Sequence, residues 1–331
     1  MVQTCICDLA DCSEVVRNQP DGSWHTYDTE SELMVMASGQ GPVVQRAILT
    51  SELVRIRKEA KKTQEIVARA LDWSPSKLIR IEGGTVGIST TDLQALLRHY
   101  EVSADGEVDR LIELARGSRE RGWWQTYQAD LDPGFRSYLG YEMGASYIRQ
   151  FEVSLIPGLL QTEDYARVVL REYIGDVGEE RINLLAEIRM NRQELLLDQD
   201  PVVEQLYILD EAAIRRRVGA TLPGGKGIMP AQLRLVIEAA QRPNVTIEII
   251  PFESGAHFGM KGPFTVLEFD ADLGEVLYLE NARGGDLTIT GRDAMVTEYR
   301  DAFEGLRKWT YKADRSLELL HEAVDQMSAS V

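Results

Sequence analysis

Residues 63–84 read TQEIVARALDWSPSKLIRIEGG, and the fold turns on how that stretch is read. Thr63 is a good N-cap, because its hydroxyl can accept from an orphan N–H of a first helical turn. Ile66, Val67, Ala70 and Leu71 then line up as the inner face of a short helix. Asp72 and Trp73 make a turn. Ser74 caps a second helix, with Pro75 at the first helical position, where a missing N–H costs nothing. Gly83 and Gly84 stop it. At about 100° per residue, Leu78 and Ile81 fall on one side of that helix. Ser76 and Arg80 fall opposite, with Lys77 and Ile79 on the flanks. Apolar residues pin the helix, and a few polar ones face outward.

The neighbours extend this pair into a bundle. Leu49, Leu53, Ile56 and Ala60 recur at helical spacing before it. Leu93, Leu96, Leu97 and Tyr100 do so after it, as do Val108, Leu111, Ile112 and Ala115. Five short helices are therefore expected within residues 43–117.

Charge is distributed unevenly. The 331-residue chain has a formal net charge of -17. Yet Arg46 to Arg80 carries nine basic residues against four acidic ones. A Debye length of about 8–10 Å lets that local patch, rather than the distant acidic remainder, set the field around the helix pair. A helix with this outer face fits the major groove of double-stranded DNA. Arg80 can give two parallel hydrogen bonds to guanine O6 and N7, and Ile79 can meet a thymine methyl. Pro75, Ser76 and Lys77 stand beside Arg80. Thr63 and Gln64, at the start of the other helix, are placed to hold a phosphate. Lys61 and Lys62 precede them and offer attraction that does not depend on base sequence. Read alone, an amphipathic helix with exposed Ser, Lys and Arg is a solvated face; the run of caps, turn and Gly-Gly stop is the more specific signal.

That run resembles the lambda-repressor/Xre class of helix-turn-helix, in which Thr-Gln opens one helix and Ile-Glu-x-Gly closes the next. The resemblance implies that Gln64 contacts the DNA backbone and that Pro75, Ser76 and Arg80 take base-facing positions. It also implies a structural ion pair between Arg57 and Glu82. The class usually has a Gly and an apolar residue before Thr-Gln, where this chain has Lys61 and Lys62.

The second half changes character. Residues 146–158 and 202–214 mix apolar and polar residues in a strand-like way, and residues 244–252 alternate cleanly. Residues 263–270 and 275–281 read as further strands, antiparallel across a short link. Helices are expected at 162–173, 179–197, 230–241, 292–309 and 312–327. Several stretches, among them IPGLLQTEDYARVVL (156–170), RGWWQTYQ (121–128) and VLYLEN (276–281), resemble actinomycete Xre-type regulators with a C-terminal domain of obscure function, sometimes described as antitoxin-like. The resemblance implies an effector or a small partner protein. Trp123, Trp124 and Tyr127 start an aromatic cluster that continues through Phe135, Tyr138 and Tyr141. It reads as an interdomain core or as the wall of an effector pocket, with His257 in a loop as a further candidate.

Other chemistry finds little support. No phosphate loop, nucleophile elbow or His-Glu-x-x-His is present, so no catalytic residue, cofactor or enzymatic activity is expected. Cys5, Cys7 and Cys12, with His25, could offer zinc three thiolates and an imidazole, but the Cys-x-Cys spacing is tight and incidental thiols are the simpler reading. No apolar run approaches the roughly 20 residues of a membrane span. The opening residues have no basic region and no long apolar segment, so a secretory signal is not expected and a cytoplasmic location is. Met34 or Met36 is an alternative start.

The expectation is an N-terminal extension (1–42), disordered or non-native, then an all-α helix-turn-helix bundle of five helices (43–117), then an α+β domain with a mainly antiparallel sheet (118–331). The expected function is a sequence-specific transcriptional regulator that binds operator DNA as a homodimer. The alternative is an antitoxin-like protein that binds a small cognate partner.

Overall fold

The computed structural model describes residues 14–18, 24–28, 41–175, 178–199, 202–270, 273–280, 287–290 and 293–329. The cysteines at 5, 7 and 12 lie outside them. Within the first 42 residues, Glu14–Asn18 (β1) and Trp24–Asp28 (β2) pair as an antiparallel ribbon, which the sequence pattern did not reveal.

The bundle has the five expected helices. They are α1 (Pro42–Glu59), α2 (Gln64–Ala70), α3 (Pro75–Glu82), α4 (Thr90–His99) and α5 (Asp105–Gly117). Thr63, Ser74 and Ser89 cap α2, α3 and α4, each accepting from a backbone N–H of the first turn. Leu53, Leu78, Leu93, Leu96 and Leu111 are fully buried between them. Burying such a side chain is worth about 1.5–3 kcal/mol. That sum, not helix propensity, orients helices too short to persist alone. One inner face is corrected. Val67 and Ala68 are buried on α2, whereas Ile66 is 52% exposed and Ala70 also faces solvent.

Four of these helices end alike. Lys62, Trp73, Thr85 and Val102 each donate to the carbonyl five residues back, the long bond of a Schellman motif. The residue before each donor is left-handed: Lys61 (φ 53°), Asp72 (56°), Gly84 (67°) and Glu101 (61°). So Lys61 takes a left-handed conformation that glycine adopts most readily. A side chain there costs about 1–2 kcal/mol. Lys61→Gly is expected to stabilise the protein by about 1 kcal/mol, measured by urea denaturation against Lys61→Ala, which is expected to give no gain.

A six-stranded sheet follows. Its strands are β3 (Tyr147–Glu152), β4 (Glu204–Asp210), β5 (Val245–Ile250), β6 (Phe264–Glu268), β7 (Glu275–Leu279) and β8 (Leu287–Thr290), in the order β5-β4-β3-β6-β7-β8. It is mixed, which corrects the expectation of a mainly antiparallel sheet. β3, β4 and β5 are parallel neighbours, and β6, β7 and β8 continue antiparallel. Parallel pairing needs a long crossover. After α6 (Pro133–Glu142), which leads into β3, the chain supplies one through α7 (Glu163–Ile174) and α8 (Glu179–Leu197) between β3 and β4. The short α9 (Glu211–Arg215) and α10 (Ile228–Ala239) join β4 to β5.

Side chains alternate between two layers. Phe151, Leu206, Ile208, Ile250, Phe264, Val266 and Leu277 meet α11 (Ala294–Leu306) through Val296, Phe303 and Leu306. Ile148, Tyr207, Leu209, Ile247, Ile249 and Leu267 face the other way, toward α7, α10 and α12 (Ala313–Ser328). The bundle packs on this second part. A methyl group at Gly140 of α6 would run into Val43 of α1.

Candidate nucleic-acid interface

The outer face of α3 is open. Pro75, Ser76, Ile79 and Arg80 are exposed, and Leu78 and Ile81 are buried beneath them. Arg80 Nε donates to Ser76 O at 3.3 Å. That bond holds the stem along the helix. The two Nη groups make no hydrogen bond among the described residues and point away from the core as a planar fork, the geometry that suits guanine. Thr63 is exposed, with its hydroxyl engaged as the cap of α2.

Three expected contact residues are engaged within the domain. Lys77 Nζ meets Asp92 Oδ1 at 2.9 Å and sits 4.0 Å from the centre of the Trp73 ring. It ties α3 to α4. Lys62 Nζ donates to His99 O at 2.5 Å and lies near the Tyr100 ring. Gln64 Nε2 donates to Glu82 Oε2 at 2.7 Å, which commits one of its two N–H groups.

That bond belongs to a cluster. Arg57 meets both Glu82 oxygens, at 2.7 and 2.9 Å, and gives a third bond to Lys62 O at 3.0 Å. The Arg57–Glu82 pair is present as the resemblance implied. The Glu82 hydrogen bond holds the Arg57 guanidinium above its usual range. Lys58, Lys61 and Arg69 are exposed. Arg69 was not singled out from the sequence; its position on the outer side of α2, opposite Val67, was the available signal.

The expected effector residues do not share a cavity. Trp123, Trp124 and Tyr127 pack on one another edge to face, with ring centres 6.1 and 6.2 Å apart. Trp124 is buried with Leu131, Leu139 and Ile188. His257 stands elsewhere. Its Nε2 is 3.2 Å from Asp210 Oδ2, and its ring meets the buried Phe151 edge on. Phe258, the next residue, packs toward α11 through Tyr299.

A cavity of about 390 Å³ lies next to the tryptophan cluster, between the sheet and α6, α7 and α8. Phe135 and Tyr138 of the aromatic run do line it, with Gln150, Glu152, Arg189 and Tyr278. Sequence reading passed over Gln150, Glu152 and Arg189. The signal was in β3, where polar Gln150 and Glu152 share a face with Ile148. Two polar residues on the inward face of a central strand are unusual. Burial, with the nearby Glu280 second, pushes the Glu152 carboxyl up to about 8; the Gln150 hydrogen bond and Arg189 only partly oppose this.

The bundle defines the class: a helix-turn-helix DNA-binding protein. A helix-turn-helix domain model matches residues 48–111. Residues 135–322, more than half of the chain, match a family described as a domain of unknown function (DUF5753), and the chain belongs to that family. No curated protein and no solved structure matches it. No helix among the described residues is long and apolar enough to cross a membrane.

Proposed function

We propose that this chain is a sequence-specific transcriptional regulator of the Xre type. It binds operator DNA as a homodimer and is not an enzyme. The observation that carries the reading is the outward Arg80–Ser76–Ile79 face on a helix pinned by Leu78 and Ile81. One such unit covers a half-site, and a second copy reads the other half about 34 Å away. A cytoplasmic location follows from that role.

We infer that the C-terminal domain senses an effector. Its support is α6, which has one side on the cavity through Phe135 and Tyr138 and the other on α1, where Gly140 meets Val43. A ligand in the cavity would touch the helix on which the DNA-binding bundle rests.

Selection of bound fragments from genomic DNA, followed by gel shift, tests the DNA reading. Arg80→Ala is expected to lower specific affinity by about 1–3 kcal/mol, roughly 5- to 150-fold, and to relax preference at one base. Lys61→Gly is expected to weaken binding evenly across sequences and to flatten the salt slope by about one. An Arg80→Ala protein that shifts the selected operator like wild type would remove α3 as the reading helix.

A further inference from the structure

The cavity beside α6 holds a cation, Arg189, that makes no ion pair among the described residues; Glu280 and Glu152 attract it only from a distance. Arg189 of α8 is enclosed by protein, and the surface it keeps lines the cavity. Its Nη1 donates to Gln161 Oε1 at 2.5 Å. Nε and Nη2 make no hydrogen bond among the described residues, and no carboxylate there pairs with Arg189. Burial, with Arg192 adding repulsion, pushes its pKa down to about 10.

The other cavity arginines are neutralised where they stand. Arg192 is held by Glu142, and Arg181 by Asp130. Glu152 faces the same space without reaching Arg189, and burial keeps its carboxyl protonated near neutral pH. Glu280 stands at the edge, exposed to solvent. A second polar atom is also unmet: Oε1 of Gln150 is buried without a donor.

A half-buried guanidinium with Nε and Nη2 turned to a cavity is a receptive donor, and an anion brought to it gains charge-assisted bonds. The walls also carry apolar side chains, Leu131, Phe135, Ile156, Leu170 and Ile188 among them, beside the polar Asp132, Gln161 and Thr265. Tyr138 and Tyr278 stack with ring centres 4.0 Å apart. The opening lies beside Tyr173, which is 62% exposed. A volume of this size suits a small molecule rather than a peptide chain.

We propose that this cavity binds a small organic anion, a carboxylate or phosphate ester on an apolar or aromatic body, with its acidic group on Arg189. The inference deepens the effector-sensing reading and supplies its ligand class. The body lies against Phe135, Ile156 and Ile188, and its presence bears on α6.

Calorimetric titration of the full chain tests it with matched probes: 3-phenylpropanoate, 3-phenylpropanamide and 3-phenylpropylamine, each to 10 mM. Phenyl phosphate separates the phosphate source from the carboxylate. At least one anion is expected to bind, with the amide and amine at least tenfold weaker. Arg189→Gln is expected to lose tenfold or more of that affinity, and Arg189→Lys to retain part of it. Equal binding of amine and carboxylate, undiminished binding to a folded Arg189→Gln, or no anionic binding at 10 mM would each overturn the proposal. Should Arg189→Gln fail to fold, the probe series on the wild-type chain decides. Gel shifts without ligand report the DNA reading separately. A bound anion that leaves operator affinity unchanged keeps the site and removes the sensing role.

Discussion

Arg192→Leu is expected to destabilise the protein by about 3–5 kcal/mol, read as a lower urea midpoint. Arg192 Nε and Nη2 each meet a Glu142 oxygen at 2.5 Å. The two side chains are 6% and 0% exposed. Tyr138 donates its hydroxyl to Glu142 Oε1 at 2.6 Å, and the guanidinium lies 5.3 Å from the centre of the Tyr138 ring. Leucine replaces the packing but leaves a carboxylate sealed from water without its cation. That unpaired charge, not the lost bond, makes the cost large. The double change Arg192→Leu with Glu142→Gln is therefore expected to recover at least half of it, because a carboxamide is neutral and still accepts from Tyr138. Additive losses in the double variant would show that packing around α8, not charge, governs the site.

Legibility followed the range of the interactions. The caps of α2 and α3, and the Leu78–Ile81 seam, depend on residues three or four apart, so the sequence carries them in full. The Arg57–Glu82 pair spans 25 positions and was reachable only through resemblance. Lys61 and Lys62 show a different limit. Their charges read as a phosphate-binding pair; Lys61 stays exposed on a left-handed backbone, whereas Lys62 turns its ammonium to His99 O. The direction of β4 and β5 was hidden for another reason. Alternation reports which face a residue takes, but not which way its neighbour runs. Trp123, Trp124 and Tyr127 read as an interdomain core or as a pocket wall, and the fold packs them together in a core; an aromatic run does not say which of its members fill a core. Arg189 and Glu152 come together from a helix and a strand 37 positions apart, with no shared pattern.

Stability is expected to fall as pH rises through the range where Glu152 loses its proton, and Glu152→Gln is expected to abolish that fall. An ordinary carboxyl titrates near 4.5, and this one near 8. Between those values the folded chain holds a proton that the unfolded chain has released. Stability is therefore fully present below about 4.5, declines by about 1.4 kcal/mol per pH unit as the medium rises, and levels off above about 8. The whole step is of order 4–5 kcal/mol. Its causes are burial first, then Glu280 beyond the end of β7; Gln150 on the same strand and Arg189 on α8 oppose them, and Tyr165 and Tyr173 of α7 face the same carboxyl. Glutamine keeps the shape and still accepts from Gln150 Nε2, now at 2.8 Å from Glu152 Oε1, but has no proton to lose. Urea midpoints of both proteins at pH 5, 6, 7, 8 and 9 give the comparison. The advantage of Glu152→Gln should be small at pH 5 and full at pH 9. A constant difference across that range would mean that the Glu152 carboxylate is solvated in the cavity, and that the chamber is more open to water than its walls imply.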